Sequence, residues 1–192
     1  FLASYDANGV LRSVRLFGDG DDQSGLAVAT DGSGNVYVGG RFTGTITFGT
    51  STFDAGIFSD DGFLVSLDPS GAVRWSRQFG PGGDGSIEDV LIDLAGRVVA
   101  TGWFGGDFDF GGGVLTTGGS WAGFVARYGA ALGDYDSAWL TCTGTGWCRA
   151  TAVAVAATSV SVVGSFRDTV DLGSGPVTSL GAEDGYVAGF AD

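Results

Sequence analysis

The sequence contains no His, no Lys and no Met, and its only Glu residues are Glu88 and Glu183. Without an imidazole there is no base for a nucleophilic triad of the common kind, and without lysine there is no Schiff-base chemistry and no lysine to complete a phosphate loop. Proline is scarce at 3 residues while aromatics reach 12%, so the 37 Gly fit neither a collagen-like nor a disordered chain. No apolar run approaches the roughly 18 residues of a membrane helix. The longest candidate, Ala150 to Gly164, is short and alternates. Helical periodicity is absent as well: Leu26-Ala-Val-Ala-Thr30, Asn35-Val-Tyr-Val-Gly39 and Val73-Arg-Trp-Ser-Arg-Gln-Phe79 follow a period of two.

All nine basic residues are Arg, against 20 Asp and the two Glu, which gives a net charge of −13. A field of that sign repels phosphate backbones and anionic lipid, so neither nucleic-acid binding nor membrane insertion is expected. Cations remain compatible with it.

Cys142 and Cys148 flank Thr-Gly-Thr-Gly-Trp. Two glycines let the chain turn back, and an even count in this acidic, lysine-free chain predicts a disulfide in an oxidising, extracellular or cell-surface setting. Two unpaired thiols in a loop are the alternative. A zinc site would need carboxylates to complete a tetrahedron.

The strongest signal is a repeat. Phe1-Leu-Ala-Ser-Tyr-Asp6 returns as Phe63-Leu-Val-Ser-Leu-Asp68, as Phe124-Val-Ala-Arg-Tyr128 and as Tyr186-Val-Ala-Gly-Phe190. The offsets are 62, 61 and 62 residues. Arg41-Phe-Thr-Gly-Thr-Ile-Thr-Phe-Gly49 likewise matches Trp103 to Gly111 and Ser165 to Gly173. Copies at 1–62, 63–123 and 124–185, with the start of a fourth at 186–192, make one tandem segment. Turn signals punctuate it at Asp6-Ala-Asn-Gly9, Asp31-Gly-Ser-Gly34 and Asp68-Pro-Ser-Gly71. The third copy reads Gly129-Ala-Ala-Leu instead, and its second turn shortens to Ala157-Thr-Ser.

Four main strands per copy predict an all-β fold without helices, built as a β-propeller of roughly 61-residue blades. An extra hairpin around Thr45 to Phe58, Phe108 to Thr117 and Val170 to Leu180 accounts for the length beyond a common blade. About three blades are covered, too few to close a ring of at least about four. A chain beginning at Phe1 therefore reads as part of a longer array, or as a protomer sharing a ring with other copies. A β-solenoid is the alternative fold.

The run Asp61-Gly-Phe-Leu-Val-Ser-Leu-Asp-Pro-Ser-Gly71, followed by Trp75 and Phe79-Gly80, together with Val36-Tyr-Val-Gly-Gly-Arg-Phe42, resembles bacterial β-propeller-repeat proteins of the SBBP type, common in myxobacteria. The resemblance covers nearly the whole chain and implies a secreted or surface-exposed protein without implying an activity.

Candidate sites lie in the acidic and aromatic stretches. Asp19, Asp21 and Asp22, with Asp60-Asp61 and Asp84 elsewhere, could supply oxygens to Ca²⁺, although none matches the spaced Asp-x-Asp-x-Asp-Gly loop. Turn capping is the simpler role. Asp107 and Asp109 share a face if their segment is extended, which suits either a carboxylate pair of a carbohydrate-active enzyme or a solvated edge. The recurring Phe42, Phe104 and Phe166 read as core. Trp121 and Trp147, in Gly/Ser/Thr surroundings, read as exposed loop indoles able to stack on a sugar or anchor a protein partner. The expectation is a non-catalytic extracellular module for protein or glycan interaction or structural assembly. The alternatives are a carbohydrate-active enzyme, or a self-associating subunit of an extracellular filament.

Overall fold

The computed structural model describes residues 1–80 and 83–191. Among them there are sixteen strands and no helix. A short antiparallel hairpin, β1 (Leu2–Tyr5) and β2 (Leu11–Arg15), precedes the first full sheet. That sheet is the meander β3 (Gln23–Thr30), β4 (Val36–Phe48), β5 (Ser51–Leu67) and β6 (Val73–Phe79). The second sheet repeats it with β7 (Gly85–Ile92), β8 (Arg97–Asp109), β9 (Val114–Gly129) and β10 (Tyr135–Leu140). Between β10 and the third sheet lies β11 (Thr143–Gly144). The third sheet pairs β12 (Trp147–Ala156), β13 (Ser159–Arg167) and β16 (Asp184–Ala191). A small sheet joins β11 to β14 (Thr169–Asp171) and β15 (Pro176–Thr178). Each full sheet thus straddles two sequence copies, starting in the second half of one and ending in the first strands of the next.

The turns show why the breaks fall where they do. At Asp6, Asp31, Asp68 and Asp93 one carboxylate oxygen accepts the N–H groups of the residues two and four positions on. In each the glycine three positions on donates to the aspartate carbonyl and holds a φ of 77 to 81°, where a side chain would be strained. The third copy lacks this motif at both places and turns differently, with Gly133 (φ 69°) closing onto Gly129 and a two-residue turn between Ala156 and Ser159.

The extra hairpin is not a separate element in the first two sheets, as the sequence suggested. It is the continuation of the two middle strands past bulges at Gly44 and between Gly105 and Asp107, and only in the third copy does it break away as β14 and β15. At that break Asp168 takes a φ of 58°, between β13 and β14.

Sheets pack face to face. The first strand of each lies across the preceding sheet, β7 on β3, β4 and β5, and β12 on β7, β8 and β9. Gly39 permits the first of these contacts, because a Cβ there would meet Ile87 at 2.4 Å and Val90 at 2.9 Å. Phe42, Phe104 and Phe166 are buried, as expected of core positions. Phe79 leaves the end of β6 to join Phe104, Phe124 and Tyr128 in the core of the second sheet. Val90 and Val153, equivalent by register, are 4% and 8% exposed, whereas Val28 at the same place in the first sheet is 61% exposed. The architecture is a succession of face-packed antiparallel sheets; no closed ring or barrel forms among the described residues.

Candidate functional site

Strand register gives corresponding positions in the three sheets. Phe42 faces Gln23 and Asp61, Phe104 faces Gly85 and Ala122, and Phe166 faces Cys148 and Asp184. One step before each of these lie Arg41 and Asp60, Trp103 and Trp121, and Ser165 and Glu183. The same two strand positions therefore hold an ion pair at 3.3 Å, two indoles stacked with centroids 4.7 Å apart, and a hydroxyl that donates to a carboxylate. Flanking the position of Gln23, Gly85 and Cys148 are Asp22 and Ser24, Asp84 and Ser86, and Trp147 and Arg149.

Where the third sheet packs on the second, these positions converge. Arg149, two residues along β12 from Trp147 and so on the same face, brings its guanidinium carbon to 4.9 Å from the ring centre of Trp103, 4.8 Å from Trp121 and 5.1 Å from Trp147. The rings of Trp121 and Trp147 lie 6.2 Å apart. On the outer side of Trp147 sits Arg167, which also pairs with Glu183 at 3.3 Å. Trp103 is buried and donates its indole N–H to Glu88 at 2.9 Å, which fixes the base of the stack. Three aromatic faces around a cation amount to a strong local attraction, each contact contributing about 0.5–2 kcal/mol depending on desolvation. The Arg149 side chain nevertheless donates no hydrogen bond to another described residue, and its Nε is buried without an acceptor.

Two clefts open on either side of this cluster and share Asp84, Trp121 and Arg149. The larger, about 730 Å³, runs toward Trp147, Arg167 and Glu183. The smaller, about 400 Å³, runs toward the Arg41–Asp60 pair of the first sheet. Glu183 is held below the usual carboxylate range, first by the Ser165 hydroxyl and then by Arg167.

Trp121 and Trp147 are thus brought together, but they are not the loop residues the sequence suggested: Trp121 lies within β9, Trp147 opens β12, and both are half-buried. Trp103 and Arg149 were missed. Aligning the copies strand by strand would have shown the exchange of Asp-x-Ser for Trp147-x-Arg149.

The acidic candidates are placed elsewhere. Asp19 accepts the N–H of Asp21 at 2.8 Å, the side-chain amide of Gln23 at 2.8 Å, and both the N–H and the hydroxyl of Thr45. The Thr45 hydroxyl above all holds its carboxyl down at about 2. Asp22 accepts the Thr43 N–H on its carbonyl and donates its own N–H to the Thr43 hydroxyl oxygen, and Asp21 packs over Gly44. The trio latches the loop onto the bulge in β4, and no group of three side chains arranged to hold a metal ion occurs among the described residues. Asp109 spends one oxygen on the N–H groups of Gly111 and Gly113 at the tip of its hairpin, which lowers its carboxyl, so it is a poor proton donor beside Asp107. Asp61 is the opposite case: burial pushes it up to about 6, and one of its oxygens has no partner while Gln78 donates to the other.

Cys142 and Cys148 form a disulfide, both residues buried. They occupy the positions of Gly80 and Gly85 in the preceding inter-sheet loop, which also touch, and so tie β12 to the end of the second sheet. The buried pair fits an extracellular chain. Among the described residues no helix is long and apolar enough to cross a membrane.

No family model matches the chain, and no curated protein matches it either.

Proposed function

We propose that this chain is a segment of a secreted or cell-surface β-propeller-repeat protein, similar to the SBBP type, that acts as a non-catalytic interaction module. The observation that carries the reading is the convergence of Trp103, Trp121, Trp147 and Arg149 at one sheet junction, flanked by two clefts. Aromatic and arginine side chains in a partly desolvated cleft are what recognition surfaces use. The propeller part of the reading is supported by the recurring meander and by the way each sheet's first strand crosses its predecessor. In such an array a further sheet would cover Val28.

The test is binding by the wild-type protein and by the Trp121→Ala/Trp147→Ala variant to a glycan microarray and to a displayed-peptide library. The expected result is a set of binders held by the wild type and released by the variant. A wild type that holds no binder of either class, or a variant that keeps them all, overturns the reading. Electron micrographs of the natural protein test the architecture: a ring with a central channel supports a propeller, and a straight filament supports the assembly alternative instead.

A further inference from the structure

The chemistry of the two clefts says more about what fills them, on the assumption that they are the contact surface proposed above. In the larger cleft the charged groups are Arg149 and Arg167 against Asp84 and Glu183. In the smaller they are Arg41 and Arg149 against Asp60 and Asp84. Each cleft is balanced, in a molecule whose net charge is −13. An anionic ligand would meet two carboxylates in either cleft, and a cationic one would meet two guanidinium groups. A hydroxyl both donates and accepts, so a polyol satisfies both signs at once.

Arg149 supplies the second argument. Its guanidinium is held by three indoles and lines both clefts, and although its Nε is buried, the rest of the group makes no hydrogen bond to a described residue, so a ligand oxygen can be bound there without reorganising the side chain. Asp84 stands on the same shared wall as an acceptor; its Oδ1 takes the Asp60 N–H at 3.3 Å. The half-buried edges of Trp121 and Trp147 add apolar surface suited to the C–H groups of a sugar ring. At the floor of the larger cleft Gly105 and Gly106 keep the backbone bare, with nothing within 4 Å of where a Cβ of Gly106 would point.

We infer that the paired clefts bind a neutral oligosaccharide, with one sugar unit on each side of the Trp121–Arg149 wall, hydroxyls donating to Asp84 and Glu183 and accepting from Arg149.

The experiment is titration of the protein with neutral gluco-, xylo-, manno- and galacto-oligosaccharides, followed by tryptophan fluorescence and calorimetry, beside oligogalacturonate, heparin-derived and chitosan oligomers. The expected result is saturable binding of at least one neutral series, stronger for four units than for one and unchanged between 50 and 500 mM salt by the absence of ligand charge. Arg149→Met and Asp84→Asn should each weaken it at least tenfold, and Glu183→Gln, at an exposed rim position, should weaken it with the melting temperature intact. Binding only of the charged oligomers, lost in raised salt and in the Arg149→Met protein, overturns the neutral-sugar inference and leaves the cleft as the contact surface. Absence of any neutral ligand also overturns it, and equal binding by wild type and all three variants overturns both readings.

Discussion

Aspartate serves several ends in this chain, and its partners decide which. In the turns at Asp6, Asp31, Asp68 and Asp93 the carboxylate is bound by its own loop's N–H groups. Asp61 is instead buried at a sheet junction with Gln78 as its donor, and burial above all, with Asp84, Asp54 and Asp60 adding to it, raises its carboxyl to about 6 from an ordinary 3.8. A folded value above the unfolded one means that the folded state holds the proton more tightly, so this group favours folding most below about pH 4 and loses that contribution as pH rises through 6. Asp61→Asn should therefore raise the thermal midpoint at pH 8, where the wild type must bury a charge, and change it little at pH 4. Equal shifts at the two pH values would show that Asp61 ionises freely. The Asp-x-x-Gly turns were legible because all their bonds lie within five residues. Asp61 was not, since burial depends on how the second sheet covers the first.

At the scale of strands, register does the organising. The alternating pattern identified the strands and the repeat aligned them, yet the aromatic cluster stayed hidden because Trp103, Trp121, Trp147 and Arg149 meet only after two sheets stack. Sequence neighbours did mislead in one respect: glycine and serine around Trp121 and Trp147 suggested loops, whereas glycine here lets strands approach closely, as at Gly105, where a Cβ would meet the Trp121 ring at 2.8 Å. Phe79 shows how one element fastens another. It ends β6, yet its ring lies 6.3 Å from Phe124 and 6.0 Å from Tyr128 of the second sheet. Phe79→Ala should destabilise the fold by about 3–5 kcal/mol in chemical denaturation, the cost of a large buried cavity. A loss under about 1 kcal/mol would show that the two sheets do not share a core.

For the whole molecule, the junctions differ in how they are held. The first relies on Arg74 and Arg77, which reach carbonyls of Ala130 and Gly133 at the far end of the second sheet, and on Phe79. The second adds the disulfide. Reduction should cost about 2 kcal/mol by the loop-closure argument for so short a ring, and hydrogen exchange should speed up in β12, β13 and β16 ahead of the second sheet. Uniform acceleration across all sheets would mean that the bond does not act locally. The presence of a cysteine pair could be read from the sequence; that it ties β12 to the end of the second sheet could not, because it depends on β10 ending at Leu140, just before Cys142, and on Cys148 lying within β12.

The turn latches close on their own backbone and ignore what stands at the sheet junctions. The positions beside Phe42, Phe104 and Phe166 thus behave as addresses on which chemistry can be rewritten without disturbing the frame: charge at one junction, indole and guanidinium at the next. Moving the second junction's residues to the first, by Arg41→Trp, Asp60→Trp, Asp84→Trp and Ser86→Arg, should create a second stacked aromatic cluster detectable by its own exciton signal in circular dichroism. A protein built this way can change what it touches one junction at a time.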